Sequence, residues 1–366
     1  MGLNLLLKVD GVPNADLAEA TRVEITEEIG KTTFFSVHYP VDIEEGDMAR
    51  LTDEVIGPDS AVSILEPGDD GRLECLVQGP VSRQKIHLET GGSGSTIEVH
   101  GGDSSLLLNQ GVVFRKWLEG KDSQTIVNIL MGQWQGGQRT TILMDVQETD
   151  TVRQENKHSL NQRQTPLGLI RQLARINGFH FWITTDAEGV ETAHFKPLPL
   201  SEEPKATLVI NGKDCNVARF DIDWDTARPT AVENVQVSLN NAQDILGIVD
   251  QSSIRTLQPL LGQRGLQQIR GAGLTSTIQI SAPVDDAGDL LARSRAVLME
   301  ADWFITADCS TSLHKLCRLL RTHTLVNVAM AGTRHSGKYL VSRVHHRIDE
   351  TAHVMDIRLW RNAWNA

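Results

Sequence analysis

Four sets of side chains in this sequence have types and spacings that could support chemistry. Gly332-Thr333-Arg334-His335-Ser336-Gly337-Lys338 follows the spacing of a phosphate-binding loop up to its last position, which is Tyr339. Such a loop needs a small hydroxyl there for Mg²⁺ and a following helix whose N–H groups face phosphate. Tyr339 to Val344 alternates as a strand instead, so the run reads as a hairpin turn. Asp221, Asp223 and Asp225 resemble the opening of a calcium loop, without the glycine at the sharp bend or the closing glutamate. Ile222 and Trp224 alternate with these acids, so one strand face is apolar and the other carboxylate: a solvated face, or a carboxylate cluster in an assembly interface. His345 and His346 are adjacent, and a strand would point them to opposite faces, where they do not share a metal. His314 and Cys317 lie three apart with Cys309 as the best third ligand, and no fourth is evident. No GxSxG elbow accompanies the serines, and Gly91 to Thr96 lacks both a lysine and a following helix. The expectation is no catalytic, cofactor-binding or metal site, and a protein that is not an enzyme.

The totals narrow the classes further. A chain of 366 residues fits about two or three domains, and 40% apolar residues are enough for real cores. A formal charge of −12 argues against a general binder of nucleic acid or anionic membrane. Arg318 to Arg321 is one candidate for a local basic patch, and it reads as a solvated strand end. Cys75, Cys215, Cys309 and Cys317 are scattered, which fits small core thiols in a reducing compartment. The start, MGLNLLLKVDG, has no small-residue cleavage site and reads as a first strand. No apolar run approaches the roughly 20 residues of a membrane span. Together these place the chain in the cytoplasm at synthesis and assembly, with no membrane insertion.

The elements that would position such residues are best marked between Gln164 and Pro197. Thr165 can cap a helix whose first residue is Pro166. Leu167, Ile170, Leu173 and Ala174 form its apolar face, and Asn177-Gly178 ends it. A hairpin follows, Phe179 to Thr184 and Val190 to Phe195, turning through Asp186 and Gly189. Upstream, short strands are expected at Leu5–Val9, Val23–Glu27, Thr32–Tyr39, Ala61–Leu65, Leu73–Val77, Val81–Leu88 and Thr96–His100, separated by Gly/Pro turns, with Pro40 to Arg50 acidic and irregular. Ser104–Leu108 and Phe114–Leu118 read as short helical or irregular pieces, Ser123 as the cap of a helix over Gln124–Met131, and Gln133 to Arg163 as loops with one or two strands. Downstream, strands are expected at Thr207–Ile210, Val217–Trp224, Ala231–Ser238, Trp303–Asp308, Thr324–Met330, Lys338–Arg347 and His353–Leu359. Asp286 would cap a helix over Ala287–Ala301 with Leu290, Leu291, Val297 and Leu298 buried, and Asn240–Gly273 resists assignment. The fold class is α+β, mostly β: residues 1–100 a first β-barrel, 101–204 an α/β domain, and 205–366 a second β-barrel with a helical insertion.

In that order the pieces resemble the baseplate hubs of contractile injection systems, the phage late-control D proteins and the N-terminal hub part of type VI secretion spike proteins. Four stretches carry the resemblance: Leu73–Leu88 with Thr96–Leu107; the helix around Asp122–Met131; Gln164–Trp182, where Thr165, Leu167, Leu173, Ala174, Gly178 and Phe181 match the family's helix-to-strand signature; and Gly337-Lys338-Tyr339-Leu340-Val341 with His345–Asp349 and the closing Leu359–Asn362. Arg163 and Gln172 depart from the signature, which has Gln and Arg there, and Pro166 and Gly168 replace bulkier residues.

The resemblance implies two tail-tube-like barrels braced by the α/β domain, assembled as a homotrimer. Its pseudo-six-fold ring would join a hexameric inner tube protein to a trimeric spike protein supplied as a separate chain, alongside other baseplate components. It implies no cofactor and no specific nucleic acid. Two other readings stay open at this point: a tail-associated cell-wall hydrolase, and a β-rich receptor- or carbohydrate-binding module.

Overall fold

Period-two alternation of apolar and polar residues makes about half of the described residues strand. The structure, a computed structural model, describes residues 3–363 except 4, 15, 41–56, 58–59, 69–70, 90–93, 135–141, 151, 156–159, 226, 230, 238–243, 251–276 and 280–286. The N-terminal region holds β1 (Leu6–Val9), β2 (Val12–Pro13), β3 (Arg22–Glu28), β4 (Phe34–Pro40), β5 (Ala61–Pro67), β6 (Leu73–His87) and β7 (Thr96–Gly102). Two expected strands, Leu73–Val77 and Val81–Leu88, are one: Gly79-Pro80 is not a turn but lies inside β6. A Cβ on Gly79 would sit 2.0 Å from the Gly102 carbonyl oxygen, so glycine is what lets β6 press against the end of β7. The ladder slips register between Val81 and Arg83, and there β6 passes from β5 to β7.

The α/β region follows with β8 (Val113–Trp117), β9 (Gly120–Lys121), α1 (Asp122–Trp134), β10 (Leu143–Val146), β11 (Val152–Arg153), β12 (Leu160–Gln164), α2 (Pro166–Asn177), β13 (His180–Thr185) and β14 (Glu191–Lys196). β8 replaces the helical or irregular piece expected at Phe114–Leu118, because β12 pairs with it along its length. Ser123 does not cap α1: its hydroxyl accepts from the Thr149 N–H at 3.3 Å, and the helix begins at Asp122. α2 is as expected. Thr165 Oγ1 accepts from the Gly168 N–H at 3.1 Å, and Gly178 ends the helix at φ 66°. Leu167, Leu169, Ile170, Leu173 and Ala174 are buried against Ile126, Leu130, Phe181 and Phe195.

The C-terminal region comprises β15 (Ala206–Val209), β16 (Arg219–Trp224), β17 (Ala231–Val237), β18 (Asp244–Asp250), β19 (Thr277–Ile278), α3 (Ala287–Ala301), β20 (Ile305–Ser312), β21 (Leu325–Ala329), β22 (Gly337–Asp349) and β23 (His353–Arg361). β18 accounts for the start of the stretch that resisted assignment; its remainder, the cap at Asp286 and most of the acidic Pro40–Arg50 run lie outside the described residues. α3 buries Leu290, Ser294 and Leu298, but Leu291 points outward and is exposed. Gly247 of β18 leaves room for this face, since a Cβ there would lie 2.7 Å from Leu290 Cγ and 3.2 Å from Ser294 Oγ.

A thirteen-stranded sheet organises the described residues in the order β16-β20-β23-β22-β3-β4-β7-β6-β5-β1-β2, with β21 also on β22 and β15 on β21. β3 lies antiparallel to β22 from Glu28↔Arg343 to Arg22↔Asp349, so the N- and C-terminal β regions share one sheet. One apolar core underlies both, from Val23, Ile25 and Ile64 to Tyr339, Val344 and Leu359. β17, β18 and β19 form a separate small sheet roofed by α3, which also packs against α2. The class is α+β and mostly β.

Candidate functional site: a buried polar seam and a polar sheet face

Where β3 meets β22, the core contains charge. Glu27, on the inward face of β3, receives Arg321 Nε at 2.5 Å on Oε1 and the Thr322 N–H at 3.1 Å on Oε2. The same guanidinium donates to the carbonyls of Cys75 and Leu76, both at 2.7 Å. On the other side of Glu27 Oε1, at 3.9 Å, lies Nε2 of the fully buried His346. His346 Nδ1 is 3.0 Å from His353 Nε2, and His353 Nδ1 is 2.8 Å from Glu66 Oε1. Burial, reinforced by the neighbouring His353, Arg321 and His345, drives His346 well below the usual imidazole range. The polar line runs from β5 through β23, β22 and β3 to the turn before β21, and stitches both β regions together.

That turn, Arg321–Thr324, also meets the α/β region. His323, at φ 59°, stacks on Trp182 of β13 at 4.0 Å, and Trp182 stacks on His194 of β14 at 4.8 Å. His194 Nδ1 is 2.8 Å from Asp145, which Lys196 also contacts. At the hairpin tip, Lys8 donates to the Ala187 carbonyl at 3.1 Å and Gln78 to that of Gly189 at 3.3 Å. Burial lowers His180 to about 4 and takes His323 well below its usual value. The hairpin therefore touches both the N-terminal and the C-terminal β regions.

The residues singled out from the sequence fall elsewhere. Gly332–Lys338 is the β21–β22 hairpin turn, closed by the Ser336 N–H on the Gly332 carbonyl at 3.0 Å. Gly337, at φ 134°, is required sterically, since a Cβ there would lie 2.5 Å from Arg361 Nη1. Arg361 is fully buried, donating to the Ala363 and Ser336 carbonyls at 3.0 and 2.9 Å with Tyr339 beside it. Asp221 pairs with Arg219 at 2.5 Å and Asp225 with Arg228 at 3.5 Å, and Asp223 shares the exposed face of β16 with Asp221. His345 faces outward beside Thr26 Oγ1 at 2.9 Å, while His346 points into the core. Cys309 is buried in the core with its thiol pushed up to about 12, away from His314 and Cys317, which share one exposed helical turn. Among the described residues no group of three or more His, Cys, Asp or Glu is placed to hold a metal ion. Arg321 is not part of a solvated strand end; it is turned inward on Glu27.

Composition alone gave no signal for the seam, because its partners are up to 295 positions apart. The adjacent pair His345-His346 was the only local hint. The opposite face of the sheet is mainly polar from β16 to β6, with Phe34 the exposed apolar exception on β4, and carries cross-strand pairs: Arg358 to Asp308 at 2.8 Å, Arg347 to Asp356 at 2.7 Å and Lys85 to Glu98 at 3.2 Å. Such exposed pairs stabilise by about 0–1 kcal/mol each, so they define a surface more than they hold a fold.

A fold can be compared where a sequence cannot. No protein-family profile matches the sequence, and no curated protein matches it. Among solved structures, the tail protein from Neisseria meningitidis MC58 aligns over 100% of this chain and 98% of its own at 15% identity, with a TM-score of 0.67. The 43 kDa tail protein of prophage MuSo2 from Shewanella oneidensis aligns over 99% of both chains at 17% identity and TM-score 0.68. This chain has the fold of a phage tail protein. The tail-protein fold extends to the E. coli c3393 protein, a component of the type VI secretion system with structural similarity to the T4 tail proteins gp27 and gp5. That match covers 97% of this chain and 76% of the other, at 10% identity and TM-score 0.58. Within the tail-protein fold, the family-like closing motif has a physical basis: Gly337 makes room for Arg361, and Asn362 donates to Asp302 at 3.0 Å.

Proposed function

We propose that this protein is a structural hub of a phage tail or contractile injection system. In this reading it is a homotrimeric adaptor that joins a hexameric inner tube to a trimeric spike and acts by shape and symmetry, without catalysis or cofactor. The observation that carries it is the reciprocal, full-length match to two tail proteins. Residues 1–100 and 205–366 would supply two tube-like faces per subunit, so that three subunits present six, with residues 101–204 bracing them. The shared sheet supports a rigid adaptor, because the two β regions are fused through the β3–β22 ladder and cannot hinge freely. The spike, tube and baseplate chains are the partners. The protein would be made in the cytoplasm and end in the assembled particle; no helix among the described residues is long and apolar enough to cross a membrane.

The test is co-expression with the neighbouring tube and spike chains, followed by mass photometry and cryo-microscopy of the purified assembly. A three-fold ring between tube and spike is the expected result. A chain that stays monomeric at all concentrations and co-purifies with neither partner would refute the reading.

A further inference from the structure

A closed ring of identical subunits needs two different, mutually complementary faces on each chain, because every contact joins one face of a subunit to the other face of its neighbour. Two small antiparallel ribbons, far apart in the sequence, carry such faces. The first is β17–β18. Its inner face packs on α3 through Val232, Val249 and Leu298, with Asn234 donating to Ser294 Oγ at 3.1 Å. Its outer face should be polar if it met only water, yet Val235, Val237, Leu246 and Ile248 stand there 55–61% exposed. The cross-strand pairs are Val235↔Leu246, Val237↔Asp244 and Glu233↔Ile248, so the four aliphatic side chains sit together with one acid at each diagonal corner.

The second ribbon is β8–β12. Trp117 and Leu160 pair across its inner face, where Trp117 Nε1 donates to Gln162 at 3.1 Å. The outer face pairs Phe114 with Arg163 and Lys116 with Asn161. Phe114 is 80% exposed, and Val112 before it is 56% exposed. Among the described residues Lys116 pairs with Glu155 at 3.7 Å, and that acid is itself exposed. This ribbon is therefore an apolar centre with a basic rim, and the first is an apolar centre with an acidic rim. Each is two strands wide.

We propose that the acid-rimmed outer face of β17–β18 in one subunit docks on the base-rimmed outer face of β8–β12 in the next copy of this chain. The occupant of each face is thus a second copy, and the contact is heterologous. Glu233 and Asp244 meet Lys116 and Arg163 around a core of Val235, Leu246, Ile248 and Phe114. Aromatic and aliphatic groups at the centre with charges at the rim match the anatomy of stable interfaces. The proposal rests on the ring reading above and assigns its subunit contact.

Charge reversal tests it. The acidic-face variant carries Glu233→Lys with Asp244→Lys, and the basic-face variant carries Lys116→Glu with Arg163→Glu. A third chain carries all four changes. Mass photometry is run across a concentration series, with far-UV circular dichroism spectra as the check on folding; all four residues are exposed, so the spectra should match wild type. Each single-face variant should associate at least about a hundredfold more weakly, since like charges face each other across the contact. The four-fold variant should recover association. If the wild-type chain never oligomerises, the ring reading fails and takes this assignment with it. If wild type oligomerises and the single-face variants do too, only the assignment falls. Loss in both single-face variants without recovery in the four-fold variant would mean that the faces do not meet each other. A far-UV spectrum that departs from wild type in any variant would mean that its face is covered within its own subunit, which also overturns the proposal.

Discussion

Replacing Arg321 with Met should separate what the seam holds together. Arg321 gives Glu27 a 2.5 Å ion pair and caps the carbonyls of Cys75 and Leu76. Methionine keeps the aliphatic stem but removes all three donations, leaving a carboxylate at 3% exposure with the N–H and hydroxyl of Thr322 as its remaining hydrogen-bond donors among the described residues. Removing one partner of a buried pair costs about 3–5 kcal/mol. The Arg321 side chain is itself 26% exposed, so water can partly replace it and the lower end of that range applies. For a chain of 366 residues, with an unfolding entropy of about 2.1 cal/mol/K per residue, a loss of about 3 kcal/mol should lower the melting temperature by on the order of 4 °C. The double variant Glu27→Leu with Arg321→Met removes the orphaned charge as well and should recover most of the loss, because a buried ion pair is about neutral against an apolar replacement. The assays are a thermal melt for the temperature shift and urea unfolding, followed by far-UV circular dichroism and tryptophan fluorescence together, for the free energy. Loss of less than about 0.5 kcal/mol in Arg321→Met, or a double variant no better than the single, would refute the claim that a charged seam joins the two β regions.

Four further outcomes are expected. Leu173→Asp places a carboxylate at a fully buried site in α2 and should cost several kcal/mol; an intact ring from this variant would mean the helix is peripheral. Gly337→Ala combines a φ of 134° with a Cβ 2.5 Å from Arg361 and should cost about 1–3 kcal/mol in a denaturant titration. Acid should weaken the fold through histidine. His180, lowered by burial to about 4, binds fewer protons folded than unfolded, and its contribution is full above pH about 6.5 and is lost as pH falls towards 4. Urea midpoints from pH 7.5 to 4.5 should show this fall, less steeply in His180→Gln. Thiol labelling at pH 8 should be fast at the exposed Cys215 and Cys317 and wait for unfolding at Cys75 and Cys309, whose thiols burial pushes up to about 11 and about 12.

What was readable in the sequence was what is local. The cap at Thr165, the stop at Gly178 and the apolar face between them act within a dozen residues, and α2 appears with those ends. The alternation in Val23–Glu27 or His353–Leu359 likewise needs no partner to be seen. Legibility failed where a distant element decides. Gly79-Pro80 has the composition of a turn, but the close approach of Gly102 makes it a bend inside a strand. Phe114–Trp117 becomes β8 only because β12 arrives more than forty positions later. Leu291 fits a helical period, but β17 and β18 cover the face of α3 that carries Leu290, Ser294 and Leu298, and Leu291 falls outside it. The seam lay furthest from view: Glu66 and His353 are 287 positions apart, and either residue alone is unremarkable.

The β3–β22 ladder also sets an order of events during synthesis. β3 is complete by Glu28, but the strand that covers its open edge ends at Asp349. Through nearly the whole of translation, β3 has β4 on one side and an unpaired row of N–H and C=O groups on the other, above apolar side chains destined for the shared core. Contacts of such long sequence separation form late and slowly. A ribosome stalled before β22 would therefore hold a chain with a sticky edge, and premature meetings between such edges on neighbouring polysomes are the natural route to aggregation. Yield in a heterologous host should depend more on holdase chaperones and slow growth than on any later step.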